Sequence, residues 1–151
     1  MRGFKKVSWI ESDIPMPKRG SIGSAGYDIY AICPATFECM GITGATIEEA
    51  WRKTPDIYKT VMDLHGVKLP TGIKAFMGLD EYLSLYIRSS AAMNDGLMLA
   101  TGTSIIDSDY YNNPDNEGHI IIGLKQQFYE FKQPIVRICQ GVFHKYLITD
   151  D

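Results

Sequence analysis

Cysteine is scarce in this 151-residue chain: Cys33, Cys39 and Cys139 are an odd number and no two of them form a CxxC pair. That argues against a disulfide framework and a zinc knuckle, and leaves reduced, structural thiols of the kind expected in a cytoplasmic protein. An excess of positive charge is lacking too. Fifteen Lys and Arg stand against 18 Asp and Glu, a net charge of −3, so no basic field exists to hold a duplex by counterion release, and nucleic acid is not an expected partner. The most apolar stretches, 97–106 and 120–124, are too short or too interrupted to cross a bilayer, so no membrane role is expected. Behind Arg2, Lys5 and Lys6, the polar Ser8, Glu11, Ser12 and Asp13 stand where an export signal needs an unbroken apolar segment. The Walker loop, GxGxxG, HExxH and GxSxG are absent, as is any metal-ligand spacing among His65, His119 and His144. No internal repeat or low-complexity tract is visible.

What is present reads as one folded domain spanning 1–151. Hydrophobic residues at 45% and charged residues at 22% give the chain enough apolar surface to build a core. Pro15, Pro17, Gly20, Gly23 and Gly26 punctuate a turn region before Tyr27-Asp28-Ile29-Tyr30-Ala31, whose aromatic and β-branched content predicts a strand. Residues 46–65 break the pattern. Thr46-Ile47-Glu48-Glu49 is a capping box, Thr54-Pro55 offers a second helix start, and Ile57, Val61 and Leu64 recur at helical spacing. From position 67 short β-rich runs follow closely at 67–69, 72–76, 82–87, 96–99, 103–106, 119–126, 135–138 and 140–148. Turn signals separate them at Pro70-Thr71-Gly72, at Asn94-Asp95-Gly96 and over 112–118. The expected fold is all-β, an antiparallel sandwich or jelly roll with one short helical insertion near 46–65.

Carboxylates framed by apolar strand positions are the natural places to look for acid–base chemistry, because such a frame holds the group rigidly and partly dry. Asp28 qualifies, and so do Asp107 and Asp109 at the end of Thr103-Ser104-Ile105-Ile106. Taken singly, a carboxylate at a strand end is more often a turn former than a base. Arg88-Ser89-Ser90, directly after Tyr86-Ile87, places a guanidinium fork and two hydroxyls at a strand end, donors suited to phosphate oxygens. Gln140, in Arg137-Ile138-Cys139-Gln140, offers an amide donor. The loop over 111–118, rich in Asn and acids, reads as a solvated turn.

Taken in order, four segments carry more than any one of them. Ala25-Gly26-Tyr27-Asp28-Ile29-Tyr30-Ala31, Arg88-Ser89-Ser90-Ala91, Ile105-Ile106-Asp107-Ser108-Asp109-Tyr110 and Arg137-Ile138-Cys139-Gln140 together resemble four of the five motifs of the trimeric dUTP diphosphatase family. Leu69-Pro70-Thr71-Gly72-Ile73 resembles that family's strand and turn between the first two motifs. The resemblance runs from about residue 15 to 151 and implies a jelly-roll homotrimer with active sites at subunit interfaces. It implies hydrolysis of dUTP to dUMP and pyrophosphate, assisted by Mg2+. Asp107 corresponds to the carboxylate that activates water. Asp28 corresponds to the aspartate that helps orient the magnesium-bound triphosphate, acting on the metal through a bound water. Arg88, Ser89 and Ser90 match the phosphate-binding motif and Gln140 a further phosphate contact. Tyr110 matches the aromatic against the deoxyribose, and the hairpin that includes Thr101 and Gly102 matches the segment that reads uracil.

The sequence also departs from that pattern. Thr101 stands where an asparagine is usual, Ser104 where a glycine is usual, and Ile135-Val136 in place of Gly-Asp. Residues 33–66 are longer than the family's link, and no glycine-rich arm with arginine and phenylalanine is found up to Asp151. A non-catalytic trimer of the same fold that binds nucleotides or protein, and an enzyme acting on another deoxynucleotide, are the alternative readings.

Overall fold

A computed structural model describes residues 1–10, 13–32, 67–125 and 135–150, with position 67 described by its backbone. The predicted helical insertion over 46–65, and Cys33 and Cys39 with it, lie outside the described residues. Among the described residues are nine strands, one short helix and one 3-10 turn: β1 Gly3–Lys6, β2 Lys18–Arg19, β3 Tyr27–Ile32, β4 Val67–Pro70, β5 Ile73–Phe76, β6 Glu81–Ile87, α1 Ser89–Asp95, β7 Ser104–Asp107, the turn Ser108–Tyr110, β8 Ile121–Leu124 and β9 Ile135–Lys145. Every ladder among the described residues is antiparallel. A five-stranded sheet runs β2-β3-β9-β6-β7, and β1-β5 and β4-β8 form two-stranded ladders, so the described part is mostly β, as expected.

The sheet buries one face. On β6, Leu83 and Leu85 are fully or almost fully buried against Ile29 of β3 and Ile138 and Cys139 of β9, with Ile120, Ile122 and Leu124 in the same core. Each such side chain contributes roughly 1.5–3 kcal/mol by leaving water. Burial pushes the Cys139 thiol up to about 12, consistent with the inert, structural cysteine expected from the sequence. Among the described residues no helix is long and apolar enough to cross a membrane.

Three local expectations are corrected. The strand expected at 96–99 is absent; Leu99 makes only an isolated bridge to Leu124. The chain before it instead forms α1, because Ala91, Ala92 and Met93 are strong helix formers and Gly96, at φ 65°, closes the helix in the left-handed conformation with its N–H on the Ala91 and Ala92 carbonyls. Asn94-Asp95-Gly96 is thus a helix end rather than a hairpin turn. The two strands expected at 135–138 and 140–148 are one, ending at Lys145.

That single strand contains a β-bulge. Ile29 pairs with Cys139 but Tyr30 pairs with Arg137, so Ile138 is the extra residue. Strict alternation would put Arg137 and Gln140 on opposite faces; with Ile138 and Cys139 both turned inward, both polar side chains reach the outer face. The Ile138 carbonyl accepts the Arg88 N–H at 2.9 Å, carrying the β6–β9 register one residue past the Ile87–Cys139 pair.

Candidate active site

Asp28 sits on β3 directly opposite Gln140 of β9, and Gln140 lies opposite Tyr86 of β6. The Asp28 carboxylate is held from two sides, by Arg88 Nε at 3.2 Å and by Arg137 at 2.9 Å, and its side chain is only 16% exposed. One carboxylate against two guanidiniums leaves an excess of positive charge. Gly20, Ser24, Gly26, Ser89 and Gln140 complete the cleft wall. Because Arg88 spends its Nε on Asp28, the terminal amino groups of its fork stay available to an anion, and the carboxylate fixes which way that fork points. Arg137, part of the motif but given no role from sequence, is the partner that sequence reasoning missed; its signal was the spacing to Gln140, whose meaning depends on the bulge. Ser90, on α1, is exposed and does not line this cleft.

Asp107 closes β7 opposite Tyr82 and lines a second cleft with Asp109, Tyr110, Leu85, Ile106, Ile120 and Ile121. Its wall mixes apolar side chains with the two carboxylates and the polar Ser104. Apolar side chains of this kind suit a sugar or base ring, and Asp107 is exposed at the rim. Thr101 and Gly102 lie in the exposed turn leading into β7. Gly102 has φ 75° and donates its N–H to the Leu99 carbonyl. The Thr101 and Ser104 hydroxyls are 2.9 Å apart and share a hydrogen bond. The two positions at which this hairpin departs from the family pattern are therefore bonded to each other.

The loop over 111–118 is not the plain solvated turn expected of it. Glu117, at φ 61°, takes an ion pair from the buried Lys74 at 2.9 Å together with the Ser8 N–H and hydroxyl, and Lys74 also donates to Asn112 at 2.6 Å. Burial pushes the Glu117 carboxyl up, but the hydrogen bonds from Ser8 and Lys74 outweigh it and hold the group at about 2. His119 is fully buried, accepts the Gly72 N–H on Nε2, and is pushed down to about 4 by burial, partly opposed by Glu117. These side chains lie far apart in sequence, so no local pattern announced them.

The site residues expected from sequence thus divide into two groups. Asp28, Arg88, Ser89 and Gln140 share the cationic cleft; Asp107 and Tyr110 share the apolar one. On the sheet Asp28 and Asp107 are three strands and four residues apart, roughly 20 Å by ordinary strand spacing. Both occupy the face opposite the core. A magnesium ion fits this donor set only in one form: among the described residues no group of three His, Cys, Asp or Glu side chains forms a protein cage, whereas magnesium is commonly held by one or two carboxylates plus substrate phosphates.

No family model matches the chain. Deoxyuridine 5'-triphosphate nucleotidohydrolase of Lactococcus lactis is 34% identical to it over 155 aligned residues, covering 99% of this chain and 86% of that protein. The enzyme of the same name from Dinoroseobacter shibae is 26% identical over 68% of this chain and 55% of its own length. Among solved structures, dUTPase from Streptococcus mutans superimposes with a TM-score of 0.66 at 30% identity, covering 99% of both chains. The dUTPase of Staphylococcus bacteriophage 80alpha with dUpNHpp shares the fold at 15% identity, with a TM-score of 0.61 over 99% of this chain and 85% of its own. With a third of its residues shared across nearly its whole length, the chain belongs to the deoxyuridine 5'-triphosphate nucleotidohydrolase (dUTPase) family of hydrolases.

Proposed function

We propose that this protein hydrolyses dUTP to dUMP and pyrophosphate, with Asp107 as the base that activates the attacking water at the α-phosphorus. The 34% identity to the Lactococcus lactis enzyme over 99% of the chain carries this reading, and the chemistry of the two clefts supports it. Arg88, Ser89 and Gln140 supply donors of the kind phosphate oxygens need, on a wall with excess positive charge. Tyr110 and the apolar wall around it would take the deoxyribose, and the turn with Thr101 and Gly102 would meet the uracil through backbone groups. Asp28 would hold Mg2+ through bound water. That ion, when present, supplies neutralisation of the triphosphate charge; a structural Mg(II) ion is described for the dUTPase of phage phi11 of S. aureus, which shares the fold.

The division into two clefts bears on assembly. Roughly 20 Å along the sheet is too far for one nucleotide to touch both Asp28 and Asp107 productively within one protomer. A homotrimer in which the cationic cleft of one copy meets the Asp107 cleft of the next would unite them, and closed rotational symmetry would make three equal sites. Pyrophosphate release from dUTP with Mg2+, compared between this chain and Asp107→Asn, tests the reading. We expect a loss of at least about a hundredfold in the variant, the scale of a general base. Unchanged release in Asp107→Asn, or none from the parent chain, would sink it.

A further inference from the structure

Tyr110 is held at both ends of the residue. Its hydroxyl accepts a hydrogen bond from Asn116 Nδ2 at 2.8 Å and donates to the His119 carbonyl at 3.1 Å. Its own carbonyl accepts Asn113 Nδ2 at 2.9 Å. The Asn116 amide is in turn aimed: its Oδ1 accepts from Asn113 Nδ2 at 2.9 Å and from the Gly118 N–H at 3.0 Å, which turns Nδ2 toward the phenol. Gly118, at φ 79°, presses on the same residue so closely that a β-carbon there would come 2.4 Å from the Tyr110 carbonyl oxygen. The loop is finally clamped to the core side by Glu117 on Lys74 and Ser8.

We propose that Asn116 is a positioning residue for Tyr110, and that the braced loop sets how strongly the site prefers a 2'-deoxy sugar over ribose. The inference rests on the reading above that Tyr110 lies against the sugar. A pocket bounded only by packed side chains gives way to one added hydroxyl, and rejects such an analogue by roughly a hundredfold at most. A ring tied at its hydroxyl and at its backbone cannot tilt aside, so the extra hydroxyl meets a wall that does not move. Releasing the phenol leaves the ring in place for a deoxy sugar but lets it yield to a ribose.

The test measures kcat and KM for dUTP and for UTP in the parent, Asn116→Ala, Tyr110→Phe, the double variant, and Tyr110→Ala. We expect Asn116→Ala and Tyr110→Phe each to lower the dUTP/UTP ratio of kcat/KM about tenfold, through a lower KM for UTP, with kcat for dUTP in Asn116→Ala within about twofold. The double variant should be no worse than Tyr110→Phe alone, since Asn116 acts through the hydroxyl that variant lacks. Mere destabilisation would reduce both substrates alike and leave the ratio where it was. If Asn116→Ala does not fold, Tyr110→Phe decides by itself, and a full ratio there overturns the proposal. An unchanged ratio in Asn116→Ala, or an undiminished Asn116→Ala effect in the Tyr110→Phe background, overturns it while Tyr110→Ala still collapses the ratio. An unchanged ratio in Tyr110→Ala defeats the sugar-facing reading instead, and the proposal with it.

Discussion

Gln140 lies across the face of Gly26 with no room for a side chain between them: a β-carbon on Gly26 would stand 2.6 Å from Gln140 Oε1 and 3.1 Å from its Cβ. The amide could swing away, but the Cβ is fixed to β9. Gly26→Ala should therefore displace the whole Gln140 side chain and raise KM for dUTP about tenfold, the effect of one lost hydrogen bond to a charged group, with the β-sheet circular dichroism unchanged. An unaltered KM would mean that Gln140 does not meet the phosphates.

Complementation between protomers checks the shared site directly. Arg88→Ala should cripple the cationic cleft and Asp107→Asn the other, and each variant alone should be nearly inactive. Refolded together in equal amounts, about one site in four would receive both intact halves from different copies, restoring about a quarter of the parent activity. Light scattering on the same samples should give three times the monomer mass. A mixture as inactive as its components would argue for sites within single protomers.

Acid should loosen the fold through His119. Its imidazole is neutral when folded, because Nε2 accepts the Gly72 N–H, and its pKa falls from 6.5 to about 4 on burial. The unfolded chain therefore binds the proton first, so stability is whole above pH 6.5 and is lost as pH falls toward 4, by on the order of 3 kcal/mol in all. Urea melts between pH 7.5 and 4 should show this slope, and His119→Gln should flatten it. An equally steep slope in that variant would assign the loss to carboxylates, of which Glu117 acts lower, between 4.5 and about 2.

Lys74 is 8% exposed and its ammonium meets both Glu117 and Asn112. Lys74→Met keeps the apolar stem and leaves Glu117 short of its cation, which should cost about 2 kcal/mol and lower Tm by about 4–8 °C in a chain of this size. Glu117→Gln should cost less, since Gln still accepts from Ser8. A Tm unchanged in Lys74→Met would make the pair an ordinary surface contact.

Much of this was legible in the chain. Alternating β-branched and aromatic runs announced β3, β5, β6 and β7, and Pro70-Thr71-Gly72 announced a turn in which Gly72 takes φ 74°. The ordered motifs announced the candidate site, and the structure gathers Asp28, Arg88, Ser89 and Gln140 in one cleft. What was not legible depends on residues distant in sequence. Helix α1 was hidden because Ser89 and Ser90 read as phosphate donors and Gly96 as a hairpin residue, though both sit at the ends of one helical turn sequence. The brace on Tyr110 was hidden because Lys74, Ser8 and Asn116 share no local pattern; only folding brings them to one loop.

The extra residue in β9 makes the cationic cleft depend on strand register as well as on residue type. Straighten the bulge without changing one residue, and strict alternation would send Arg137 to the face opposite Gln140 and take one guanidinium away from Asp28. Substitutions along β9 can tune such a cleft gradually, whereas a one-residue slip of the ladder would dismantle it at once. What the fold guards here is a pairing pattern, and the side chains of the cleft inherit their common face from it.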